Sequence, residues 1–196
     1  MGFKVPSSEH NFLRSSLVSS VRSVSRWFIQ RGRRIFDFAS GRSFLVDPLD
    51  IKYLIRQSAL RDLGIPEKPS LLDGDWDLLK EPIEKTELFR AFSHRFIEGG
   101  EWRDTAVCKN PETVRSRVAK MGGPEHYAAH YEKLFESIRK HGYRTGPLDP
   151  VIYVHVGRDG ELIRHDGWHR LTIATLLNVP LVRVKFFHRH KLSMRK

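Results

Sequence analysis

Val151-Ile-Tyr-Val-His-Val156, Gly157-Arg-Asp-Gly160, Glu161-Leu-Ile-Arg-His-Asp166 and Gly167-Trp-His-Arg-Leu171 follow one another without interruption in the last third of this chain. The two flanking runs, 151–156 and 161–165, read as strands, the first rich in β-branched residues, and the Asp-Gly pair between them marks a hairpin turn. Gly167 then opens a helix over 168–177, with Leu171, Ala174 and Leu177 at helical spacing, and 181–187 reads as a closing strand. A helix N-terminus presents unpaired N–H groups and a partial positive charge. Arg170 and His169 in the first turn make this one a candidate phosphate clamp.

Working outward, Tyr127, Tyr131, Leu134, Phe135 and Ile138 form one apolar helical face, with Gly142 at the C-cap position. Asn110-Pro111-Glu112 is a helix start, Asn capping and Pro in the first turn. Leu88, Phe89, Phe92 and Phe96 mark a helix that Gly99-Gly100 ends. Phe44-Leu-Val46 suggests a short strand, followed by a turn at Pro48 and a helix reaching Ile55, while Pro66, Pro69 and Gly74 mark a loop. Near the N-terminus, Leu13, Leu17, Val21, Val24 and Phe28 recur at helical spacing with Arg22 and Arg26 opposite them. That segment is a basic amphipathic helix suited either to the domain's own core or to an anionic surface. Together these signals give an α/β (α+β) fold: a small mixed sheet, a helical insertion and an N-terminal amphipathic helix.

The 196 residues suffice for one well-filled core, and the 40% apolar content argues for a folded protein. The net charge of +11 calls for an anionic partner, whether a nucleotide, nucleic acid or an anionic membrane surface. Basic residues crowd both ends, Lys4 to Arg42 and Arg183 to Lys196. Cys108 is the only cysteine, so no intramolecular disulfide forms, which fits the cytoplasm. No run approaches the roughly 20 apolar residues that a bilayer span needs, so any membrane association is expected at the surface.

From Tyr131 onward the chain resembles the ParB/sulfiredoxin superfamily. The matching order is a helix around Tyr131–Gly142, the strand Val154-His-Val156, and the motif Gly160-Glu-Leu-Ile-Arg-His-Asp-Gly-Trp-His-Arg-Leu171, then an apolar helix and Leu181-Val-Arg-Val184. Phe44 to Ile55 is similar to the family's opening strand. On this reading residues 1–43 are an N-terminal extension, and 44–196 form the domain, interrupted by an insertion at about 56–125. The resemblance implies nucleotide-phosphate binding at Gly167, Trp168, His169 and Arg170, with ATP, ADP or CTP as ligand. Sulfiredoxins carry a reactive cysteine where this chain has Trp168, and partition proteins carry two arginines where it has His169 and Arg170. The Asp-Gly-x-His-Arg pattern is closer to the family's kinase-like members. The implied activity is therefore a phosphotransferase acting on a small-molecule hydroxyl. A non-catalytic nucleic-acid-binding ParB-like protein and a peripheral membrane protein stand beside it as alternatives.

Phosphoryl transfer needs cations and N–H donors around the phosphate, a carboxylate for the acceptor and, as a rule, a divalent metal. The candidate catalytic residues are accordingly Asp166, His169 and Asp75. Asp73-Gly-Asp-Trp-Asp77 places three carboxylates at alternate positions, a pattern that suggests a hard cation such as magnesium or calcium, magnesium being the one phosphoryl transfer calls for. His126 with His130, and His188 with His190, read as surface residues. Neither the acceptor nor the oligomeric state is legible.

Overall fold

The computed structural model describes residues 43–109, 115–146 and 149–194. The basic amphipathic segment before Ser43 and the helix start at Asn110-Pro111-Glu112 lie outside the described residues.

In chain order the elements are β1 (Phe44–Val46), β2 (Tyr53–Leu54), α1 (Gln57–Asp62), β3 (Ser70–Leu72), β4 (Glu81–Pro82), α2 (Glu87–Phe96), α3 (Ala106–Lys109), α4 (Arg115–Lys120), α5 (Pro124–His141), β5 (Ile152–Val156), β6 (Leu162–Asp166), α6 (Trp168–Leu176) and β7 (Val182–His190). The seven strands form one mixed sheet in the order β1-β7-β5-β6-β2-β4, with β3 also on β7. The protein is thus α/β. Strand β7 is long enough to carry two partners end to end on one edge: β1 antiparallel against Val182–Val184, and β3 parallel against His188–His190. Strand β5 lies on its other edge, parallel to it.

Successive strand residues point to opposite faces, and the two faces bury different material. Ile152, Val154, Leu162, Val182 and Val184 meet Phe92 of α2, Tyr131 and Phe135 of α5, and Leu171 and Ala174 of α6 in the main core. The α5 stripe and the α2 stripe supply this contact, and Phe96 stacks on Phe135 with centroids 4.0 Å apart. On the other face Ile163 packs with Ile55, Leu60 and Trp76, so the segment between β2 and β4 covers that side.

No helix follows Pro48. A single 3-10 turn spans Pro48–Asp50, capped by Asp47, which accepts from the Leu49 N–H at 2.9 Å. The chain then enters β2, and α1 begins only at Gln57. The cause is burial on two sides: Leu54 joins the main core while its neighbour Ile55 joins the second. That period of two suits a strand that is covered on both faces. His188 and His190 are also not surface residues, at 1% exposure each. Two apart on β7, they share a face and flank Trp76. Among the described residues no helix is long and apolar enough to cross a membrane.

Candidate functional site

The turn from β6 into α6 sets the site. Gly167 is the N-cap residue of α6, with φ of 84° in the left-handed region. A Cβ there would lie 3.1 Å from Ile152 Cγ1 and 3.2 Å from Ile152 Cα. Only glycine adopts this turn without strain and at this distance from β5. No side chain caps the helix, so its first N–H groups are left to solvent or ligand.

Cations gather around that end. Arg170, half-buried, stands in the first turn of α6. Arg164, 7% exposed, rises from β6, and its guanidinium carbon lies 4.9 Å from the centroid of the Trp168 ring. Arg117 of α4 is close enough to act on both Tyr131 and His169. No ion pair to a described carboxylate neutralises Arg164 or Arg170. The Nε of Arg164 and the Nε1 of Trp168 are buried without hydrogen-bond partners. Asp166, exposed at the last position of β6, is the carboxylate next to this group.

His169 does not join the clamp as a cation. Its Nε2 lies 2.8 Å from the Tyr127 hydroxyl, and its ring stacks on Tyr131 at 4.2 Å and tilts against Phe92. Burial, reinforced by Arg117 and Arg164, pulls its pKa to about 3, so it is neutral at physiological pH. Its role is to fix α6 onto α5. Trp168, by contrast, covers Arg164.

The acidic trio sits elsewhere. Asp77, fully buried, accepts from the backbone N–H of Arg158 at 2.7 Å and from its guanidinium at 2.7–3.1 Å. Burial alone pushes the Asp77 carboxyl up, but these bonds outweigh it and hold the carboxyl below its ordinary range. Asp75 accepts at 2.7 Å from Arg158 Nη2, which Asp77 shares, and Asp73 faces Lys191 at 3.5 Å. Among the described residues no group of three or more His, Cys, Asp or Glu is arranged to hold a metal ion. The three aspartates therefore do not fit a divalent cation; Asp75 and Asp77 anchor the inserted segment on the 157–160 turn, and Asp73 faces Lys191 beyond the end of β7. That turn precedes β6 and Gly167 follows it, so Asp75 is separated from the clamp by the length of the strand, on the order of 15–20 Å at about 3.3 Å per residue.

Two groups that sequence reasoning did not single out emerge here. Arg164 is one; as an arginine inside an apolar strand it was visible, but nothing marked which face it took. The second is a set of buried imidazoles on the opposite face. His155 stacks on His188 at 4.9 Å and meets His165 edge-on at 4.7 Å. A separate groove of about 690 Å³ runs beside the start of α5, between Trp102, Cys108 and His126, and includes none of the expected site residues.

Searches against family models, curated proteins and solved structures return no match for this chain.

Proposed function

We propose that this protein binds a nucleotide through its phosphates at the start of α6, in the manner of the ParB/sulfiredoxin superfamily that its C-terminal third resembles. The observation that carries the reading is the convergence of an uncapped helix N-terminus with Arg164, Arg170 and Arg117, none of which is neutralised by a described carboxylate. Such an arrangement stabilises phosphate oxygens by hydrogen bonds and charge together. The kinase-like motif extends the proposal to phosphoryl transfer onto a small-molecule hydroxyl. Asp166 would orient the acceptor and take its proton as the new P–O bond forms. The bond to the leaving nucleotide breaks in the same step, and the displaced phosphate oxygen carries the charge away. A single cysteine and no spanning helix among the described residues suit a cytoplasmic site of action.

The nucleic-acid alternative draws less support. In the C-terminal basic run, Arg183 and Arg189 are buried, and Arg189 is bonded to Ser193 at 3.0 Å, so that run does not form a fully solvated patch. Thermal-shift measurements with ATP, ADP and CTP, with and without magnesium, test the proposal. A nucleotide at 100 times its dissociation constant should add about 2.7 kcal/mol of stability. A melting temperature indifferent to every nucleotide would count against the reading.

A further inference from the structure

Arg164 occupies a place where an aliphatic residue would pack. It pairs with Leu54 on one side and Val154 on the other, and both of these belong to the main core. Being two residues from Leu162, it points to the same helix-covered face. Its Nη1 donates to the His165 carbonyl at 2.7 Å, its Nε has no partner, and the Trp168 ring lies over its guanidinium carbon. Trp168 Nε1, at the first position of α6, is equally buried and equally unpartnered. Asp166 and Glu81 act on Arg164 only from beyond ion-pairing distance. Burial draws the guanidinium pKa down to about 10, which still leaves it charged at neutral pH.

An unpaired buried cation is costly to bury, and a well-packed apolar residue in its place is often as stable or more so. The feature is therefore costly to the fold alone and becomes favourable once an anion arrives. A phosphate group at the α6 N-terminus would bring acceptor oxygens to both orphaned donors while also meeting the helix N–H groups.

We propose that Arg164 and the Trp168 indole N–H form an anion subsite beneath the start of α6, which anchors a terminal phosphate or pyrophosphate group. Its assignment to a nucleotide rests on the function proposed above; the subsite itself requires only the phosphate.

Titration calorimetry with inorganic pyrophosphate and with ATP, on wild type, Arg164→Met and Arg164→Lys, together with ligand-free melting curves, tests this. Arg164→Met should keep or raise the ligand-free melting temperature and weaken pyrophosphate binding at least tenfold. Arg164→Lys should fall between, because a planar fork is lost while the charge stays. If Arg164→Met does not fold, Arg164→Lys decides: a severalfold loss of affinity supports the subsite and unchanged affinity overturns it. Pyrophosphate binding that is missing in wild type, or equal in Arg164→Met, also overturns it. Binding of pyrophosphate that depends on Arg164, with no response to any nucleotide, would retain the subsite and remove the nucleotide reading. Nucleotide binding unaltered in Arg164→Met would do the reverse.

Discussion

His169 is enclosed by Phe92, Tyr127 and Tyr131, and this enclosure ties the stability of the protein to pH. In the unfolded chain its pKa is near 6.5, and in the fold burial lowers it to about 3. Above pH 6.5 both states are neutral. Below it the unfolded chain gains a proton that the folded one refuses, so stability falls by about 1.4 kcal/mol per pH unit for this one group. The loss levels off near the folded pKa. His165 and His188, both drawn down to about 4 chiefly by burial, act in the same direction over pH 6.5 to about 4. Urea unfolding between pH 7.5 and 4.5 should show this decline, and His169→Phe should remove about one proton from its slope. An unchanged slope would mean that His169 is not buried as described. At this scale the motif residues Gly167 to Arg170 were legible, but their division of labour was not. Neighbours on a helix point about 100° apart, so His169 turns to the core while Arg170 stays half-buried at the edge.

The turn that joins β6 to α6 depends on Gly167. Gly167→Ala meets both the left-handed φ, at about 1–2 kcal/mol, and the Ile152 backbone, where overpacking adds about 1–3 kcal/mol. Gly64→Ala, with φ of 67° in open space, incurs only the first cost. Melting curves of the two variants should therefore differ, with Gly167→Ala the less stable. A second prediction concerns the inserted segment. Asp77→Ala should destabilise by about 1.5–3 kcal/mol, the scale of hydrogen bonds to a charged group, and speed amide exchange around Gly74 and Trp76. Nucleotide affinity should stay within twofold, because Asp77 sits at the far end of β6. A tenfold loss would place Asp77 at the phosphate site after all. The hairpin, α5 and α6 could be read from period and turn chemistry, since each makes mostly local contacts. Strand β2 and the end of β7 could not, because their character comes from partners distant in the chain: Ile163 and Arg164 for β2, and Ser70 to Leu72 for β7.

Over the whole molecule, one sheet serves two different coverings. Helices α2, α5 and α6 pack one face, and the inserted segment with Trp76 closes the other around buried histidines. The insertion was legible as an interruption between Ile55 and the α5 stripe. Its attachment was not, because Asp73, Asp75 and Asp77 look alike whether they meet a metal or the cations Arg158 and Lys191. The net charge of +11 predicts an anionic partner, and the function proposed above puts that partner at the start of α6. Titration calorimetry of ATP with magnesium into wild type and Arg170→Ala measures that claim most directly. If Arg170 holds phosphate, the substitution should weaken binding by about 1.5–3 kcal/mol, the scale of a charge-assisted hydrogen bond and equal to a tenfold or greater rise in Kd. Equal affinities in the two proteins, or no heat from either, would contradict it.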